Sequence, residues 1–170
     1  MDTRPAHNGG MTLIELVIAI VVISVALAGV LLVFNQSVRH SADPMVTEQA
    51  LAIAQSYLEE IMLQPFADPP NTTAPCTGTL GPQPGETRAT YDDVGDYNGL
   101  VDSPPRDQFG TPMDPGFSLI DLSRYTVRVT VGCAAFNGIP ATQSKRIDVT
   151  VTASGVPGLD VTLSAYRTAY

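Results

Sequence analysis

The chain has 170 residues, 44% hydrophobic and 15% charged, with 9 Lys+Arg against 17 Asp+Glu and a formal charge of −8. That length suits one modest domain, and the acidic balance argues against a nucleic-acid partner, which needs cationic surface to displace phosphate counterions. Two His (His7 and His40), two Cys and one Lys (Lys145) leave little for a zinc site or a Cys/His nucleophilic pair, so no enzyme is expected.

In chain order, residues 1–10 (MDTRPAHNGG) are polar and end abruptly at an apolar run. From Leu16 to Phe34 there are 19 residues without a charge, and extension back to Met11 adds a single one, Glu15. A helix needs roughly 20 apolar residues to cross the hydrocarbon core, where backbone polar groups must be satisfied internally. Residues 11–34 therefore read as a membrane-spanning helix. Arg4 before it, offset by Asp2, and Arg39 after it leave the orientation open. The small-x-small triplet Ala26-Leu27-Ala28 before Gly29 would fit a secretory cleavage site, giving a secreted domain as a rival reading. Glu15 inside the apolar region, and the continuation of that region through Phe34, count against it.

Gly10-Met11-Thr12-Leu13-Ile14-Glu15, followed by an unbroken apolar helix, resembles the processing motif of type IV prepilins and pseudopilins. The resemblance implies cleavage after Gly10 by a prepilin peptidase and N-methylation of the new terminus at Met11, where the family usually has Phe. It also implies that Glu15 meets the positive amino terminus of a subunit when helices pack into a filament. Physical chemistry agrees that a lone carboxylate near the end of a spanning helix marks function by default. Snorkelling of Glu15 to the headgroups is the plainer alternative.

Residues 35–41 are polar, and Asp43-Pro44 offers an N-cap with Pro at the first helical position. Val46, Ala50, Ile53, Tyr57 and Ile61 follow at spacings of 4, 3, 4 and 4, one stripe of an α-helix, with Glu48, Glu59 and Glu60 at solvated positions. Gln64-Pro65 ends the stretch, which is expected to continue from the membrane helix or to kink away from it at Pro44.

Residues 65–90 are rich in Pro, Gly and Thr and read as irregular loop. Beyond residue 120 the period becomes two. Tyr125, Val127, Val129 and Val131 form one alternating set, Ile147, Val149 and Val151 a second, and Leu159, Val161, Leu163 and Ala165 a third. Three half-buried strands with short connections make an antiparallel meander, and the helix stripe is the one large cover available for its apolar face. The expected fold class is α+β, pilin-like: a long N-terminal helix packed on a small antiparallel sheet. The expected organisation is a leader (1–10), a transmembrane and assembly helix (11–34), an amphipathic continuation (35–64) and a periplasmic globular domain (65–170).

Cys76 and Cys133 would form one disulfide if the globular part lies in an oxidising compartment; two free buried thiols are the alternative. Asp92, Asp93, Asp96 and Asn98 supply oxygen ligands on a turning loop, so Ca²⁺ is conceivable there, although the EF-hand pattern is not met. A solvated turn held by Asx hydrogen bonds is the commoner outcome for such a run, and no cofactor is expected. The segments Tyr91–Leu100, Lys145–Val151 and Leu163–Tyr170 resemble minor pilins of the mannose-sensitive haemagglutinin (MSHA) biogenesis type.

The resemblance implies a minor prepilin-like subunit of a type IV pilus or related assembly machine. It would sit in the inner membrane as a single-pass protein, with its globular part in the periplasm, and enter an extracellular pilus after processing. Its partners would be other pilin subunits, through the N-terminal helix, and the prepilin peptidase. A membrane-anchored or secreted periplasmic binding domain that never polymerises is the alternative.

Overall fold

A computed structural model of the chain describes residues 12–114 and 121–169, apart from the side chains of residues 33–43. The leader and Met11 lie outside the described residues. The chain divides into two compact units, Met1–Met45 and Val46–Tyr170.

Helix α1 spans Leu13–Leu63, with Pro44 in its interior. Asp43-Pro44 is therefore not a helix start. An N-cap is needed where the first N–H groups lack upstream carbonyls, and residues 35–41 are already helical and supply them. The helix stops before Gln64-Pro65, because the residue preceding proline is pushed out of the α region.

Within the second unit four strands form one antiparallel sheet in the order β1 (Val101–Asp102), β2 (Tyr125–Cys133), β3 (Ser144–Ala153) and β4 (Asp160–Thr168). The register pairs Val129 with Val149, and Val149 with Leu163, so the apolar residues of successive strands share one face. Tyr125, Val127, Val129 and Val131 of β2 and Ile147, Val149 and Val151 of β3 are buried there. β4 has a neighbour on one side only, and its Val161 and Leu163 are half-buried.

The stripe of α1 covers that face. Ala50, Ile53, Ala54, Tyr57 and Ile61 are buried in one cluster with the β2 and β3 side chains, and Val46 packs at its margin. Full burial of each Ile or Val stabilises by about 1.5–3 kcal/mol relative to exposure, which makes this contact the main source of order in the unit. The architecture is α+β, a long N-terminal helix with its second half laid on a small antiparallel sheet.

Two features escape the sequence pattern. β1 is only two residues long, pairing Val101 with Arg128 and Asp102 with Val127. Glu60 is not solvated: it lies in an ion pair with Arg88 at 2.7 Å and accepts a hydrogen bond from the Tyr97 hydroxyl at 2.8 Å. The Arg88 guanidinium also lies over the Tyr97 ring at 4.9 Å and the Tyr57 ring at 5.4 Å, contacts that favour a cation. A carboxylate on the flank of the stripe is thus drawn inward by an arginine 28 residues away.

The long segment between α1 and β2 contains 3₁₀ turns at Arg88–Thr90 and Val94–Tyr97. It is fastened by a disulfide, Cys76–Cys133, with Cα atoms 5.8 Å apart. The Cys76 N–H also donates to the Thr142 carbonyl at 2.6 Å, so the proline-rich stretch is held to both ends of the β2–β3 connection.

Candidate functional site

The N-terminal segment is built for a helix that begins at Leu13. Thr12 acts as its cap: its Oγ1 accepts from the Glu15 N–H at 3.4 Å, and its carbonyl accepts the first helical bond from Leu16 N–H at 3.2 Å. Glu15 falls in the first turn, where the positive end of the helix dipole favours a carboxylate. Leu13, Ile14 and Glu15 are all exposed, and Gly10 and Met11 lie outside the described residues.

Leu13–Leu32 is a run of 20 residues long and apolar enough to cross a membrane, with none of it buried in the protein. Its one interior hydroxyl is already satisfied, since Ser24 Oγ donates to the Ile20 carbonyl at 2.7 Å. Apart from Glu15 and Ser24 such a helix presents apolar or small side chains along its length, and no other described residue of this unit covers them.

Residues 5–31 match the family model described as the prokaryotic N-terminal methylation motif.

That match contains the whole of Gly10–Glu15 and nearly all of the apolar run, the two features whose conjunction first suggested a prepilin. It supports a type IV prepilin or pseudopilin-like substrate for processing and a structural subunit as the product. The sheet-bearing unit lies outside the match. No curated protein and no solved structure matches the chain.

The acidic loop is the second place where sequence points to chemistry, and the structure divides its members. Asp93 is buried and caps the turn at Val94–Tyr97, its Oδ1 accepting from the Gly95 N–H. The same oxygen faces Lys145 Nζ at 3.4 Å, and that ammonium lies 5.0 Å from the centre of the Phe66 ring. Asn98 is turned the other way: its Nδ2 donates to the Leu80 carbonyl and its Oδ1 accepts from Val131 N–H, both at 3.0 Å. Both residues hold the loop against β2 and β3.

Asp92 and Asp96 behave differently. Asp96 is 1% exposed, and its Oδ2 accepts from the Asp92 N–H at 3.0 Å and the Asp93 N–H at 3.1 Å. Burial pushes its carboxyl up to about 6, against the pull of those two backbone donors, with Asp93 and Glu86 adding to the rise. Asp92 is exposed, and its carboxyl is raised by partial desolvation and then by the negative charges of Asp68 and Glu86. Carboxylate oxygens of Glu86, Asp92 and Asp96 lie within 4.8 Å of one another. The spacing of Asp residues along the chain marks the loop but not Glu86, which a turn at residues 87–91 brings back to Asp92.

Proposed function

We propose that this chain is a minor prepilin-like structural subunit, of the MSHA type, for a type IV pilus or a related assembly machine. A peptidase on the cytoplasmic side removes residues 1–10 after Gly10 and methylates the amino group of Met11. The leader's side of the membrane is then the inside, and the disulfide-bearing unit faces the oxidising periplasm. The single observation that carries this reading is the match of residues 5–31 to the N-terminal methylation motif, with the cleavage site immediately before a fully exposed apolar helix.

The chemistry follows from removing the leader. Cleavage creates an ammonium group four residues from Glu15, both at the end of an apolar helix. In a low-dielectric bundle a buried carboxylate is costly unless it is paired, so neighbouring subunits favour the register that brings an amino terminus to Glu15. Apolar side chains along Leu13–Leu32 then pack against those of other subunits instead of lipid. Resemblance of residues 91–100, 145–151 and 163–170 to MSHA-type minor pilins supports the narrower assignment.

The test is the intact mass and first residue of the membrane-extracted protein, with and without the peptidase. A start at N-methylated Met11 is expected. A start at Gly29 would make the product a secreted domain and remove Glu15 from any role. An unprocessed Met1 would leave a simple membrane anchor and overturn the assembly reading.

A further inference from the structure

We propose that Glu86, Asp92 and Asp96, with Asp68 and the side-chain oxygen of Gln83 beside them, form a calcium site that fastens the loop between α1 and β2.

The acidic side chains here carry charge that no ion pair among the described residues balances. Among the described residues Arg88 pairs with Glu60, Lys145 with Asp93, and Arg146 with Asp148; none pairs with Asp68, Glu86, Asp92 or Asp96. Glu86, Asp92 and Asp96 are nevertheless drawn together. Asp68 bears directly on Asp92, and Glu86 bears on both Asp92 and Asp96. Like charges so placed repel unless a cation or shared protons intervene.

Unused oxygens supply the second, independent observation. Asp96 contributes an oxygen to the cluster, and its Oδ1 is buried with no hydrogen-bond partner although the side chain is all but inaccessible. Gln83 donates its amide N–H to Asp68 Oδ2 at 2.7 Å, and its own Oε1 is buried and unpartnered as well. Its backbone N–H reaches Glu86 Oε2, also at 2.7 Å. Buried oxygens are normally satisfied, and an unsatisfied one on Asp96, a member of the cluster, with another on the glutamine that contacts Asp68 and Glu86, favours a positive partner here.

The kind of donor selects the ion. Oxygens on opposite sides of Ca²⁺, at about 2.3–2.6 Å each, stand up to about 5 Å apart, whereas around Mg²⁺ the span is nearer 4 Å. The oxygens of the cluster lie within 4.8 Å of one another, which admits the larger ion. Ca²⁺ also accepts an irregular set of carboxylate, amide and water oxygens, which is what an irregular loop offers. The ligands come from three separate stretches, residues 68, 83–86 and 92–96. Binding would therefore tie these three stretches of the loop to one another.

The full chain in detergent micelles, stripped with a chelator, is titrated with CaCl₂ and, separately, with MgCl₂. Terbium luminescence excited through tyrosine reports occupancy directly, because Tyr91 and Tyr97 adjoin Asp92 and Asp96 in sequence. At a Ca²⁺ concentration ten times its Kd the Tm is expected to rise by about 5 °C, with Ca²⁺ displacing terbium and Mg²⁺ failing to do so. Asp92→Asn and Glu86→Gln should each abolish both responses. Asp92 is exposed and its side chain donates to or accepts from no backbone group, so Asp92→Asn should fold and, without calcium, match or exceed the wild-type Tm. No Tm shift and no terbium signal up to about 10 mM, the weak end for extracellular calcium modules, would overturn the proposal. So would a calcium response that survives both substitutions, or Mg²⁺ acting as well as Ca²⁺.

Discussion

Leu13–Leu32 and the sheet-bearing unit use similar residues for opposite ends. In the first, beyond Glu15, uncharged and mostly apolar residues follow one another on every side of the helix, and every described side chain is exposed. In the second, Val127, Val129, Ile147, Val149 and Val151 alternate with polar residues and vanish into a core beneath Ala50, Ile53, Tyr57 and Ile61. An uninterrupted run leaves a helix apolar on all sides, which no single sheet can cover. Periodic placement gives one face to hide and one to wet. The first region needs partners from outside the chain, whether lipid or other helices, and the second satisfies itself.

The difference can be broken most severely at the disulfide. Replacing Cys76 and Cys133 with Ser opens a loop of 57 residues and should destabilise the second unit by about 4 kcal/mol in the chain-entropy account. Thermal unfolding of the purified chain checks it. The apolar segment should be indifferent: membrane association of the double variant should match wild type. A Tm unchanged by the substitution would mean that the loop is held by other means.

The converse variant is Ile23→Arg, at the middle of the apolar run. A charge there should raise the cost of insertion by about 3 kcal/mol and deplete the membrane fraction after alkaline extraction. The second unit has a core of its own, so the melting transition of that unit should be unmoved. Retention in the membrane at wild-type levels would argue that this segment does not span.

How much of this was legible in the sequence divides along the same line. Periodicity exposed the stripe from Val46 to Ile61, the three long strands and the spanning run, because each depends only on the order of polar and apolar residues. β1 was invisible because two residues have no period, and its identity rests on pairing with Arg128 and Val127. Asp43-Pro44 looked like a helix start because the local signal carries no information about helix already running into it. Glu60 looked solvated for a related reason: its fate is decided by Arg88 and Tyr97, which come from a loop without a regular pattern. The acidic loop was recognised by composition, yet composition could not separate Asp93 and Asn98, spent on capping and backbone contacts, from Asp92 and Asp96, which gather with Glu86. Long-range pairings are what a linear reading omits.

Tyr57 sharpens the comparison within the core. Its hydroxyl donates to Asp102 Oδ2 and accepts from the Arg106 N–H, both at 2.6 Å, joining α1 to β1. Tyr57→Phe would strand a buried carboxylate and an N–H, at a cost of about 1–3 kcal/mol. Burial first, then the bond to Asp102, holds the phenol's pKa well above its ordinary 10. The folded form therefore keeps its proton where the unfolded chain has lost it. The stability this provides is fully present below pH 10 and declines as pH rises from 10 towards the folded value. Wild-type Tm should fall across that alkaline range, and Tyr57→Phe should flatten the fall. An equally steep decline in the variant would assign the alkaline sensitivity to other groups.

The smallest effect is expected on the outer face of the sheet, where exposure has a different meaning from exposure along the apolar helix. Arg146 Nε donates to Asp148 Oδ1 at 2.9 Å, and Ser164 Oγ donates to the same oxygen across to β4. Thr150 and Thr162 pair at 2.9 Å one step further along. These are hydrogen bonds that water can replace, and exposed ion pairs contribute little because solvent screens them and side-chain entropy opposes them. Arg146→Ala should accordingly leave the Tm of the isolated subunit unchanged within error. The same variant measured in filaments is the more telling case. If the polar face stays wet after assembly, filament yield is unaffected. A loss of yield without a loss of Tm would show that this face is covered by a neighbouring subunit, and that exposed surfaces of both kinds, apolar and polar, are shared with partners outside the chain.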